Sequence, residues 1–370
     1  MNMRLPNLAP AGVWIQAANA KEAAHAHAGM MDIMNRCGLD LALQVRHHAD
    51  HQGEHLQLCL SQDTFEACFG NFETVQLRLP QSALPEDQST VIMREILQTI
   101  LAAPVPMIFQ NIFQFESHIR IRHNIVKAAK KTALSFETHT AQRPEAYWEP
   151  TERRGHVLRE GVRLEDAIVA ATQPEITGKI YGFSCYRATE YLLLLGIAQE
   201  AKWVAPEYLA DMERQCRQEV LRSDPFHLTY ACEYGSVEKP LPPGYYVPGD
   251  RVWFKNPDNY SSDVTGYEGS WVFYLGQGLF SNFWNRERPY DLVSKCLEIY
   301  HWRDAVIRDD DGRMAIDEDF VTQLVAQSRC NPTTMARILK QMMAYRDPAG
   351  VYANGGCIDS TREIPRPNLF

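Results

Sequence analysis

Residues Cys185 to Ala201, CYRATEYLLLLGIAQEA, read as the most apolar helix in the chain. A helix apolar around most of its girth has no face to give to water, so other elements must enclose it. The material to do so is present. With 370 residues, 45% of them apolar, the chain can bury a large core, and roughly 100 to 200 residues per domain suits two domains or one elaborated domain. Gly182-Phe183-Ser184 supplies a turn immediately upstream, which puts Cys185 at the N-terminus of this helix.

The flanking segments carry both structural periods. Ala18 to Arg36 is Ala- and Met-rich and ends in Cys37-Gly38, a helix closed by glycine. Leu41, Leu43, Val45, then Leu56, Leu58, Leu60, then Val75, Leu77, Leu79 repeat at period two, as half-buried strands require, with Asp50 to Gly53 as the first hairpin turn. After Pro85-Glu86-Asp87 the spacing of Val91, Ile92, Ile96 and Ile100 becomes helical. Residues 1–110 are thus expected to form a small α+β module.

Beyond Pro104 and Pro106, helices are expected over Ile119 to Thr132 and Leu164 to Ala171. Strands follow over Arg251 to Lys255 and Ser270 to Leu275, with Gly276-Gln277-Gly278 as a hairpin turn. Asn331 followed by proline opens a helix from Pro332 to Tyr345. The last 25 residues, rich in Pro, Gly and Asn, read as an extended tail. The expected organisation is the 1–110 module, a second domain over 111–305, and a helical extension and tail over 306–370.

Charge and cysteine usage narrow the partners. A net charge of -9 with 37 basic residues and no Lys or Arg run offers no broad positive face to a phosphate backbone, so nucleic acid is not expected. No stretch approaches the 18 or more apolar residues needed to span a bilayer, and MNMRLPNLAPAG lacks the apolar core of a signal peptide. Nine cysteines with no CxxC pair argue against a disulfide framework or a Cys-rich zinc site. The expectation is a cytoplasmic protein with reduced thiols and no cofactor.

A thiol acts as a nucleophile only as thiolate, and a helix N-terminus favours that form. Cys185 occupies such a position, and an isolated cysteine beside an apolar run is otherwise an inert core residue. About sixty residues later PGDRVWFKNPD (248–258) and the strand ending in Tyr274-Leu275-Gly276 supply a sheet for the helix to face, the papain-like arrangement.

Four blocks carry a resemblance. IRIRHNIVKAAKK (119–131), EAYWEPTERRGHVLREGVRLEDAI (145–168), YGFSCYRATEYLLLL (181–195) and PGDRVWFKNPD (248–258) resemble, in order and spacing, the bacterial spore-coat protein-glutamine gamma-glutamyltransferases, or transglutaminases, over about residues 118–305. The resemblance implies an α+β fold with a papain-like domain whose Cys-bearing helix packs on a small antiparallel sheet. It also implies an acyl-enzyme at Cys185 formed from a protein glutamine, then transfer to a lysine amine.

Where that family has an acid before its Cys this chain has Ser184, and where it has a second acid this chain has Ser270. Glu268 is the nearest carboxylate to that second position, two residues along the same strand face. Phe283 stands about where the family has a histidine. The expected site is therefore Cys185, Glu268 and Ser270, with Ser184, Tyr186, Trp253, Trp271 and Phe283 lining the substrate cleft.

Three other patterns have simpler readings. His51-Gln52-Gly53-Glu54-His55 fits a metalloprotease HxxEH pattern, but its flanks alternate at period two and point to a hairpin tip. Asp309, Asp311, Gly312 and Glu318 echo a calcium loop, yet Ile307 stands at its first ligand position. His301 is a surrogate base only if the fold brings it to the cleft. Alternatives to transglutamination are deamidation, an NlpC/P60-like peptidase or amidase, and a catalytically impaired protein-binding scaffold.

Overall fold

The computed structural model describes residues 9–39, 41–50, 53–69, 72–76, 87–137, 141–152, 155–221, 223–349 and 355–367. No helix among them is long and apolar enough to cross a membrane.

The N-terminal residues build a four-stranded sheet. Val13–Gln16 pairs antiparallel with Gly53–Leu60, Val13 opposite Leu58, and parallel with Met107–Phe109, Val13 opposite Met107. Leu43–Asp50 forms the edge, with Asp50 opposite Gly53; the hairpin tip at 51 and 52 lies outside the described residues. Helices Ala20–Arg36 and Gln88–Leu101 begin at Asn19 and Asp87. Of the third strand expected from the alternation of Val75, Leu77 and Leu79, only Val75 falls on described residues. Val75 belongs to a short 3-10 turn, Thr74–Gln76, and residues 77–86 lie outside the described residues. The Thr74 hydroxyl donates to the Tyr246 carbonyl at 2.6 Å and accepts its N–H at 2.7 Å, so this turn is tied to a distant loop rather than to a ladder.

Helix Ile112–Lys131 starts seven residues before its expected N-terminus, because the Asn111 side chain accepts the Gln114 N–H at 2.9 Å and caps it there. It runs against helix Cys185–Val204. The contact is close enough that a Cβ on Gly196 would lie 2.5 Å from Ile125 Cγ1. Leu192 to Leu195 are all fully buried, as the apolar character of the segment requires.

The second sheet has six strands, in the order Tyr290–Asp291, Leu279–Phe280, Gly269–Gly276, Arg251–Lys255, Arg362–Pro365, Ala231–Tyr234, all paired antiparallel. Alternation divides its side chains. Phe273 and Leu275 join the large core around the Cys185 helix, while Val252, Phe254, Val272 and Tyr274 join a second core with helices Leu292–His301 and Pro332–Met342. The C-terminal residues therefore correct the expectation of a tail. Arg362–Pro365 is an interior strand and Cys357, Ile358 and Ile364 are buried, a role that so short a strand among prolines and glycines does not advertise.

Two buried contacts join the parts. Arg122 Nη1 and Asp250 Oδ1 lie 2.8 Å apart with both side chains fully buried, and Asp250 Oδ2 accepts the Val247 N–H at 2.8 Å. Gly249, at φ +89°, lies so close to Arg122 that an added Cβ would sit 2.9 Å from the arginine Cβ. Further along, the buried Glu95 carboxylate accepts the Gln277 N–H at 2.9 Å and the Tyr274 hydroxyl at 3.0 Å.

Burial pushes the Glu95 carboxyl up to about 7, against the opposing pull of the Gln277 N–H, the Tyr274 hydroxyl and the Lys130 charge. A raised acid holds its proton longer when folded, so the stability it contributes is present below about 4.5 and is lost as pH rises from there through about 7. Glu95→Gln keeps an acceptor and removes the titration. Between pH 4.5 and pH 8 its unfolding free energy should gain about 2 to 3 kcal/mol on wild type, measured by urea denaturation at each pH; an unchanged difference would place the titration elsewhere.

Candidate active site at Cys185

The strand Gly182–Phe183, paired parallel with Ser135–Phe136, delivers the chain to the helix start. Ser184 is the N-cap, its hydroxyl accepting the Arg187 N–H at 3.3 Å, which leaves Cys185 in the first turn. The sulfur is half-buried against the central strand of the six-stranded sheet and receives the backbone N–H groups of Trp271 and Tyr186. Burial pushes the thiol above its ordinary value; the Trp271 N–H, the Lys295 charge, the Tyr186 N–H and the Arg251 charge only partly offset it. A lowered thiol pKa at the helix N-terminus is thus not what this site shows. Desolvation by burial outweighs these four together.

Two chambers meet at Cys185. One, of about 330 Å³, is lined by Ser270, Tyr267, Tyr290, Lys295, Glu298 and Glu318 among others. The other, of about 320 Å³, is lined by Ser184, Tyr186, Trp253, Glu268 and Trp271. Phe136, Gly266 and Gly269 border both. At Gly269 a Cβ would lie 2.4 Å from the Trp253 ring, so the strand can pass beneath that indole only without a side chain.

The walls of the second chamber are held by Arg251, which is fully buried. Its guanidinium lies 3.8 Å from the centre of the Trp271 ring and 4.7 Å from that of Tyr186. It donates to Thr189 Oγ1 at 2.7 Å and pairs with Glu363. The Tyr186 hydroxyl lies 2.9 Å from His227 Nε2, whose Nδ1 is 3.5 Å from the same glutamate. Trp253 and Trp271 face each other across the pairing of their strands, 5.0 Å between ring centres.

The structure places Ser270 with Cys185 in the first chamber, and Glu268, Ser184, Tyr186, Trp253 and Trp271 with Cys185 in the second. Glu268 is exposed at the mouth, where its carboxylate accepts the Gly266 N–H at 3.3 Å. Phe283 is a correction: it is 2% exposed, within the large core, and its carbonyl accepts the Leu134 N–H. Its neighbour Trp284, which follows the turn outward, lines the first chamber instead.

His301 is held by Asp304 at 3.0 Å and Ser328 at 2.8 Å, and the adjacent Trp302 is what reaches the cleft. His55 lies on the strand Gly53–Leu60 rather than on a helix, and His51 is outside the described residues. Asp309 accepts the N–H groups of Asp311 and Arg313 and closes a hairpin turn. Sequence reasoning missed Tyr267, Tyr290, Lys295, Glu298 and Glu318, which come from four separate elements and loops with no local pattern to mark them.

A thiol at the first turn of an enclosed helix, faced by an antiparallel sheet, defines a papain-like cysteine site on an α+β fold. The model of the protein-glutamine gamma-glutamyltransferase family matches residues 74–354, and the chain belongs to that family. It is similar to a protein-glutamine gamma-glutamyltransferase of Halalkalibacterium halodurans, with 25% identity over 194 residues, or 51% of this chain and 62% of the relative. The chain thus spans less than two thirds of that relative's length. Among solved structures it resembles a transglutaminase from Geobacillus stearothermophilus, without its C-terminal extension, at 19% identity and a TM-score of 0.38, covering 58% of this chain and 98% of that one.

Arg251→Leu should destabilise the protein by about 3 to 5 kcal/mol, because it takes the arginine from the Glu363 carboxylate in a nearly closed site and leaves it, among the described residues, only His227, 3.5 Å away. Arg251→Leu/Glu363→Leu should recover part of that loss. Denaturant unfolding of the two variants checks this, and equal losses would mean that the ring contacts rather than the ion pair carry the effect.

Proposed function

We propose that the chain is a protein-glutamine gamma-glutamyltransferase acting through an acyl-enzyme at Cys185, with residues 111–305 as its catalytic unit and its substrates proteins bearing glutamine and lysine. The observation that carries this reading is the placement of Cys185 between two chambers. A transfer between two substrates needs a donor and an acceptor to reach one sulfur.

Cys185 Sγ bonds to the carbon of the glutamine carboxamide, the carbon–nitrogen bond breaks, and ammonia leaves. The lysine amine then bonds to the same carbon as the carbon–sulfur bond breaks, giving an isopeptide and returning the thiol. The backbone N–H groups of Tyr186 and Trp271, already turned to the sulfur, support a role for them at the neighbouring oxyanion. Glu268 takes the proton of the incoming amine, and Ser270 assists by hydrogen bonding.

Incorporation of a fluorescent amine into casein, with ammonia release followed in parallel, tests the proposal. Cys185→Ala should abolish both signals, and Glu268→Gln should lower amine incorporation by about 10²-fold or more. Ammonia without incorporation would identify a deamidase, and neither signal from wild type would sink the acyl-transfer reading.

A further inference from the structure

The cleft holds a cation that the scheme above leaves unused. Lys295, on helix Leu292–His301, is 2% exposed yet lines the first chamber with Cys185 and Ser270. A buried ammonium is costly unless paired. This one is held twice: Nζ lies 3.0 Å from Glu298 Oε2 and 3.4 Å from the centre of the Tyr290 ring. Among the described residues lining the two chambers it is the only cation.

We propose that Lys295 is the positioning cation of this site, its ammonium stabilising the Cys185 thiolate in the manner of the histidinium partner of other catalytic cysteines. The inference rests on the reading of Cys185 as nucleophile and deepens it. The thiol proton passes to solvent, and the ammonium stays paired with Glu298.

The other groups facing this pair cannot take its place. Arg251, from the strand Arg251–Lys255, is paired with Glu363 and stacked on Trp271. Glu318, from helix Glu318–Cys330, accepts the Tyr267 hydroxyl at 2.7 Å, and Glu268 stands at the other mouth. On the core side of Lys295, the Cys296 and Cys357 sulfurs lie 3.6 Å apart. Of these, the acids and thiols oppose a thiolate or are neutral beside it. The Lys295 charge also acts on the Cys185 sulfur against the effect of burial.

The test is the pH dependence of iodoacetamide alkylation on the full chain, read at the Cys185 peptide by mass spectrometry. In Lys295→Met the midpoint should rise by about one pH unit, so that alkylation at pH 7 slows about tenfold. Lys295→Arg should restore most of the shift. A Lys295→Met profile identical to wild type would overturn the proposal.

If Lys295→Met fails to fold by circular dichroism, Lys295→Gln, which removes the charge but keeps a hydrogen-bond donor for Glu298, must still raise the midpoint. Alkylation needs no protein substrate. A shifted profile without amine incorporation keeps the lysine assignment while the transglutaminase reading falls, and incorporation with an unshifted profile overturns the lysine assignment alone.

Discussion

The fully buried ion pair between Arg122 and Asp250 is the contact on which the rest of the cleft depends. Removing one partner of such a pair leaves a charge with no water to solvate it, at a cost of about 3 to 5 kcal/mol. Its value here is positional. Asp250 also accepts the Val247 N–H, so the turn before the strand Arg251–Lys255 is fixed to the helix Ile112–Lys131. That strand then carries Arg251 beneath the Trp271 and Tyr186 rings and Trp253 against Trp271. The helix that supports the Cys185 helix and the sheet that faces it are thereby held in one register.

Two physical demands compete at the sulfur. Enclosing the first turn of the helix excludes water from the sulfur, but it also favours the neutral thiol. Against that burial stand the N–H of Trp271, the charge of Lys295 and the N–H of Tyr186. These come from a strand, from the cysteine's own helix and from a helix more than a hundred residues later, so the thiol's character is set by tertiary packing.

That origin explains what was legible in the sequence. The strands expected over Arg251 to Lys255 and Ser270 to Leu275 match Arg251–Lys255 and, to within a residue at either end, Gly269–Gly276, and the apolar run placed the helix beginning at Cys185. These are segments whose own neighbours dictate their conformation. Val13–Gln16 and Met107–Phe109 went unread because strands of four and three residues are too short to show a period. Phe283 was assigned to the cleft by its place in a family pattern, whereas one residue's difference in direction at that turn buries it and exposes Trp284. Lys295 reads locally as one more residue of an amphipathic helix; only the fold sets its ammonium beside a cysteine 110 positions earlier.

The strand Arg362–Pro365 lies between Arg251–Lys255 and Ala231–Tyr234. A nascent chain leaving the ribosome can make the Cys185 helix and its supporting helices early, but the six-stranded sheet stays split until residue 365 has emerged. Glu363, the counter-charge of Arg251, arrives with that strand. The clamp under Tyr186 and Trp271 therefore closes only after that strand has formed, so the walls around Cys185 are completed by a segment far downstream of the helix that carries it.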